Sequence, residues 1–215
     1  MTAPLPIVVL VSGGGSNLQA IIDAIDRGEL PARIQAVISN RPEVFALERA
    51  ARAGIPTEVL DHTAYGTRED YDQALMAAID RHHPALVVLA GFMRILTPEF
   101  VHHYHGRLLN IHPSLLPRHR GLDTHRRALE AGDSEHGATV HFVTAELDGG
   151  PRIIQARVPV HPDDTPESLA ARVLEKEHRI YPLAIRWFAE GRLRQEHDQA
   201  LLDGRPLDEP VRFDP

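Results

Sequence analysis

At 215 residues the chain can bury a sizeable core in one domain or two, and one domain is the expectation. Hydrophobic residues make up 43% and charged residues 25%, the values of a folded globular protein rather than a disordered one. A formal net charge of -7 argues against a general nucleic-acid-binding surface, and the absence of Cys removes disulfides, a thiolate nucleophile and Cys-ligated zinc, which fits a cytoplasmic protein. No apolar run is long enough to cross a bilayer, and the first apolar run has no basic residue before it and glycines directly after it, unlike a secretory signal.

Residues 7–11 are continuously apolar and largely β-branched, and Ser12, Gly13, Gly14 and Gly15 close the run. Leu18, Ile21, Ile22 and Ile25 follow at helical spacing, so the chain opens as strand, loop and helix. The glycines let backbone amides approach a ligand, Ser16 or Asn17 can cap the helix, and the helix N-terminus attracts an anion. The loop is therefore either a tight turn or a phosphate site. A dinucleotide fingerprint fails, because its third glycine falls on Leu18 and the second strand ends in Asn40-Arg41 with no acid for a ribose. Residues 34–39 read as the second strand, 44–53 as a helix stopped by Gly54 and Pro56, and 57–60 as a short third strand.

Residues 68–82 read as a helix with Tyr71, Leu75, Ala78 and Ile79 on one face, and Arg68 stands at its start, where the dipole disfavours a cation. A buried strand over residues 86–90 leads into Met93, Arg94, Ile95 and Leu96, and on the residues alone the Met, Ile and Leu there are core. Thr97 and Pro98 make a helix start, with His102, His103 and His105 at its end. Cationic side chains suit a helix C-terminus, and no carboxylate is arranged there for a metal.

Leu108, Leu109 and Ile111 make a further apolar run, and Pro113 stops it near His112. The period of a strand places Asn110 and His112 on one face, at the carboxyl end where an open α/β sheet holds its ligand. A lone His beside Pro is more often structural than catalytic. Residues 114–121 read as a surface loop and 124–131 as a short helix stopped by Gly132. Residues 138–143 and 153–160 read as strands, with the turn signal Asp148-Gly149 between them. The last long helix starts at Thr165-Pro166, and its apolar stripe of Leu169, Val173, Ile180, Ala184 and Trp187 includes Glu177. An inward carboxylate is costly without a partner, so Glu177 either has one or reaches the rim. From Gly191 onward the chain is polar, with a turn at Asp203-Gly204.

The segment Asn110-Ile111-His112-Pro113-Ser114-Leu115-Leu116-Pro117, with Asp148 in Glu146-Leu147-Asp148-Gly149-Gly150 and the opening Ser12-Gly13-Gly14-Gly15-Ser16-Asn17, resembles the signature of the folate-dependent formyltransferases. The resemblance runs from Ile7 to about Arg192 and is strongest to the members that formylate glycinamide ribonucleotide in purine synthesis. It implies a single-domain α/β formyltransferase fold over residues 1–192, a mostly parallel sheet with helices on both faces and a Rossmann-like N-terminal half. Residues 193–215 would be a tail packed on that domain or trailing from it. It implies 10-formyltetrahydrofolate as co-substrate and no metal. Asn110, His112 and Asp148 would be catalytic. Gly15, Ser16, Asn17, Leu18 and Gln19 would hold the phosphate of the substrate and Glu177 its ribose hydroxyls. Arg68, Met93, Arg94, Ile95 and Leu96, together with Asn110, Thr144, Ala145, Glu146, Leu147 and Asp148, would line the folate site. The implied partners are these two small molecules, with no nucleic acid and no membrane; an oligomeric state is not readable. One departure stands out: the family commonly has His where this chain has Asp123.

The implied chemistry is acyl transfer without a covalent enzyme intermediate. Amine attack makes a tetrahedral adduct whose oxygen becomes negative, Asn110 and His112 would donate to it, and His112 beside Asp148 would carry the proton. A formyltransferase acting on initiator methionyl-tRNA normally carries a further nucleic-acid-binding domain, and this chain has no basic tail; a formyl-folate hydrolase usually has an additional N-terminal domain. A noncatalytic folate or nucleotide binder would not need Asn110, His112 and Asp148 together.

Overall fold

The computed structural model describes residues 3–214. The chain forms two compact units, with the boundary between Asn110 and Ile111. In the first, β1 (Leu5–Val11), α1 (Ser16–Asp26), β2 (Ala32–Ser39), α2 (Phe45–Arg52), β3 (Thr57–Val59), α3 (Arg68–Asp80), β4 (Leu86–Leu89), α4 (Pro98–His103) and the start of β5 (Leu108–His112), a strand that runs through the boundary, alternate strand and helix. The strand order is β3-β2-β1-β4-β5, and every pair in it is parallel. Parallel strands covered on both faces read as unbroken apolar runs, and Ile7, Val8, Val9, Leu10 and Val11 are all fully buried. This is the Rossmann-like order, and it reverses direction between β1 and β4. The glycine loop leaves β1 and the segment with Met93 follows β4, so both lie at the switch point where such sheets take ligands. The Ser12 hydroxyl accepts from the Met93 amide at 2.8 Å and ties the two together.

Three local expectations change. The cap of α1 is Gly15 and not Ser16 or Asn17: its φ of 74° is left-handed, and a Cβ there would lie 2.6 Å from the Ala46 Cβ. Helix α3 ends at Asp80 rather than His82, because Pro84 disfavours helical backbone before it and His83 turns to φ 47°. Helix α4 ends at His103, so His105 lies beyond it, while Thr97 and Pro98 start it as read.

The second unit holds α5 (Thr124–Glu130), β6 (Glu135–Phe142), β7 (Arg152–Pro159), α6 (Pro166–Ala189), β8 (Leu193–Glu196), β9 (Gln199–Leu202), β10 (Arg205–Pro206) and β11 (Val211–Phe213). Strands β6 and β7 are antiparallel, and β11 adds to the other side of β7 in parallel. Helix α6 packs across β6 and β7 through its buried stripe of Leu169, Val173, Ile180, Ala184 and Trp187. Thr165 and Ser168 close its capping box with bonds of 3.2 and 3.0 Å. The polar C-terminal stretch is ordered as a three-stranded antiparallel sheet, β8-β9-β10, followed by β11, and Arg179 stacks over the Phe213 ring at 5.0 Å. The turn at Asp203-Gly204 is as read, with φ of 52° and 77°. The fold class is mixed α/β with a mostly parallel sheet flanked by helices. Among the described residues no helix is long and apolar enough to cross a membrane.

Strand β6 starts three residues earlier than its alternation suggests, because Glu135, His136 and Gly137 pair with Pro159, Val158 and Arg157. Gly137 is required by close approach: a Cβ there would stand 2.0 Å from the Ala156 carbonyl oxygen and 2.8 Å from Leu115 Cδ2. Gly137→Ala should therefore destabilise the fold by about 1–3 kcal/mol through overpacking. Urea unfolding would show this as a lower midpoint at unchanged slope; an unchanged midpoint would mean that β6 and β7 part at no cost.

Candidate active site

His112 closes β5, and only 6% of it is exposed. Its ring is held between two acceptors. Nε2 lies 2.9 Å from the His119 carbonyl oxygen, which can only accept, so Nε2 carries the proton. Nδ1 faces Asp148 Oδ2 at 3.5 Å, close enough for an ion pair but too long for a formed hydrogen bond. Asn110, two residues back on the same strand, is half-buried on the same face.

Asp148 sits in the connection between β6 and β7, in left-handed backbone with φ 50°. The turn reading and the position beside His112 hold together. The Gly149 amide donates to the Glu146 carbonyl at 3.0 Å, and a Cβ on Gly150 would lie 1.9 Å from the Phe142 oxygen. Asp148 Oδ2 accepts from the Gly121 amide at 2.9 Å, and Oδ1 lies 4.0 Å from His141 Nε2. The His141 Nδ1 donates to the Phe142 carbonyl at 2.9 Å. Burial is the leading influence on His141 and pushes its pKa down, against the opposing pull of the Phe142 carbonyl and Asp148. Sequence reading missed His141, although the period of β6 puts it on one face with Thr139, which binds the segment after His112.

That segment, residues 114–121, is a loop as read, with Pro117 and Arg118 at the surface, but its first three residues lie inside. Ser114, Leu115 and Leu116 are buried, and the carbonyls of Ser114 and Leu116 accept from Thr139, Gln155 and Arg152 at 2.7 to 2.9 Å. His119 has φ 51°, a left-handed conformation that costs a non-glycine residue about 1–2 kcal/mol. Its Nε2 is 2.6 Å from Asp133 Oδ2, and a hydrogen bond to a charged group contributes about 1.5–3 kcal/mol, enough to offset that cost. Arg120 pairs with Glu146. Asp123 is the left-handed cap of α5 and pairs with Arg126 at 2.6 Å, a surface contact.

In the first unit, the loop of Gly13, Gly14 and Gly15 leads into Ser16, Asn17, Leu18 and Gln19 at the N-terminus of α1. Leu18 is fully buried, so only its backbone is available to a ligand. Arg49 on α2 donates to the Gly14 carbonyl at 2.8 Å, bringing a cation to the loop that no local motif announces. Met93 and Ile95 are 57% and 61% exposed, which removes the core explanation for them. Arg94 lies over the Tyr71 ring at 5.2 Å, and Leu96 is partly buried. Arg68 is exposed at the first position of α3, 3.9 Å from Glu69. In the second unit, Leu147 is 51% exposed, Ala145 and Glu146 are exposed and Thr144 is partly buried. Glu177 is buried on α6 and has a partner.

A buried His–Asp pair at the end of a strand, in an α/β chain, is a candidate acid–base site. The family model described as formyl transferase matches residues 5–185, and the chain belongs to that family. It is 59% identical over 201 residues to the phosphoribosylglycinamide formyltransferase of Escherichia coli (strain K12), covering 94% of this chain and 95% of that one. The structure of the phosphoribosylglycinamide formyltransferase of Coxiella burnetii in complex with CHES is similar at TM-score 0.95 and 54% identity, over 98% of this chain and 100% of that one. A human relative, the trifunctional purine biosynthetic protein adenosine-3, is 46% identical over 185 residues, spanning 86% of this chain and 18% of that protein.

Behind the site, His136 Nε2 and His125 Nδ1 share a hydrogen bond at 3.1 Å. Burial pushes both pKa values down, that of His136 to about 4. The unfolded chain takes up a proton at His136 near pH 6.5 and the folded chain only near 4, so the unfolded state binds more protons between them and stability falls as pH falls through that window. The full loss attached to His136 is on the order of 3 kcal/mol. His136→Gln should flatten the acid side of the stability profile by that amount in urea titrations between pH ~7 and ~4, whereas parallel profiles for variant and wild type would show that His136 titrates alike in both states.

Proposed function

We propose that this chain transfers the formyl group of 10-formyltetrahydrofolate to the primary amine of glycinamide ribonucleotide, giving formylglycinamide ribonucleotide and tetrahydrofolate in purine biosynthesis. The observation that carries the reading is the buried His112–Asp148 pair at the end of β5, in a chain whose near full-length relatives are phosphoribosylglycinamide formyltransferases. The amine nitrogen attacks the formyl carbon, a tetrahedral adduct forms, and the bond from that carbon to the folate nitrogen breaks. The proton lost by the amine ends on the departing folate nitrogen.

The adduct oxygen needs a donor placed before the reaction, and Asn110 supplies an amide; His112 can add an N–H only once it has taken up a proton at Nδ1. With Nε2 of His112 already donating to His119, a proton taken up at Nδ1 lies against the Asp148 carboxylate, so the pair can accept and return it. On this reading Gly15, Ser16, Asn17, Leu18 and Gln19 receive the phosphate through backbone amides and the helix end, and Glu177 binds the ribose. Arg68, Met93, Arg94, Ile95, Leu96, Thr144, Ala145, Glu146 and Leu147 serve the folate. Donors and a proton relay suffice for this chemistry, so no metal is invoked. Residues 1–192 are the proposed formyltransferase domain and 193–215 its tail, and the cytoplasm is the proposed setting.

The test is formyl transfer from 10-formyltetrahydrofolate with glycinamide ribonucleotide, initiator methionyl-tRNA or water alone as acceptor, in wild type and Asp148→Asn. Turnover should require the ribonucleotide and fall by about 10²-fold or more in the variant, the usual worth of general acid–base assistance. Folate release without an acceptor would make the protein a hydrolase, and a wild-type rate in Asp148→Asn would remove the relay.

A further inference from the structure

We propose that His119 is a positioning residue for the reaction, its side chain anchored on Asp133 so that its backbone carbonyl sets the ring of His112. The proposal rests on the catalytic role given above to His112 and Asp148. Four observations in the second unit carry it. The His119 carbonyl takes the Nε2–H of His112 at 2.9 Å and thereby decides which edge of the ring meets Asp148. Two residues on, the Gly121 amide donates to Asp148 Oδ2 at 2.9 Å, so one short backbone stretch grips both members of the pair. That stretch is bent at His119 into left-handed backbone, which relaxes unless something holds it. The side chain of His119 is the hold: it is mostly buried and meets Asp133 Oδ2 at 2.6 Å.

Asp133 is itself placed for this contact. It follows α5, its amide donates to the Ala128 carbonyl at 3.1 Å, and Arg118 stands 3.8 Å from its other oxygen. The His136 ring supports His119 edge-on, with centroids 6.1 Å apart. Freeing the side chain of His119 leaves every proposed ligand-binding residue in place and loosens the carbonyl against His112. Misplacement of a reacting group by about 1 Å can cost roughly 10²-fold in rate, so the effect belongs in kcat.

The experiment pairs kinetics with nitrogen resonances of the His112 ring in histidine-labelled, ligand-free enzyme, for wild type, His119→Ala, His119→Gln and Asp133→Asn. We expect kcat to fall about 10- to 100-fold in His119→Ala with KM for both substrates within roughly twofold. The His112 ring should show mixed tautomers, and His119→Gln, which keeps a donor for Asp133, should restore most of both. Asp133→Asn should move the two readouts in the same direction and serves as the probe if His119→Ala does not fold. A folded His119→Ala with unchanged His112 resonances overturns the proposal whatever the activity. If the ring signals move but wild type does not formylate glycinamide ribonucleotide, positioning stands and the substrate assignment fails.

Discussion

One imidazole set between two acceptors organises the candidate site of this molecule. His112 gives its Nε2–H to a backbone carbonyl and presents Nδ1 to a carboxylate, with almost no solvent access. A backbone carbonyl is always an acceptor, so it removes the ambiguity of the ring and leaves Nδ1 as the one nitrogen whose proton can move. The strand supplies the rest of the constraint. Pro113 ends β5 directly after His112, and Asn110 is carried along on the same face by the pleat.

The surroundings are costly structure maintained around that ring. His119, Asp123 and Asp148 all adopt left-handed backbone without being glycine. For Asp123 the conformation serves the start of α5, while for His119 and Asp148 it turns a polar group toward His112. Local strain of this kind persists where neighbours over-determine it. Here the neighbours are Asp133 and Thr139, which accept hydrogen bonds, and Gly121 and Gln155, which donate them, together with close packing at Gly137 and Gly150.

Much of this could be read from the sequence, and what could not has a common cause. Apolar runs announced β1, β4 and β5, the spacing of two announced the shared face of Asn110 and His112, and Thr97 and Thr165 announced their helices. Contacts between residues distant in sequence left no such trace. Arg49 reaches the glycine loop 35 residues back, and Asp133 meets His119 across 14. Segment 114–121 has the Pro, Gly and Arg content of a loop and is one, yet side chains from β6 and β7 bind the carbonyls of Ser114 and Leu116 and bury its first three residues. Strands β8 to β11 are only two to four residues long, so pairing rather than periodicity defines them. Gly15 caps α1 where Ser16 or Asn17 was expected, because Ala46 leaves no space for a side chain and the backbone turn demands positive φ.

The central claim is that His112 serves chemistry rather than binding. The most direct measurement is single-turnover formyl transfer by His112→Gln with both substrates saturating, alongside the equilibrium affinity of each. Affinities near wild type with the transfer step slowed by about 10²-fold or more are the predicted result. A weakened affinity with an unimpaired transfer step would contradict it and make His112 a residue of the binding surface.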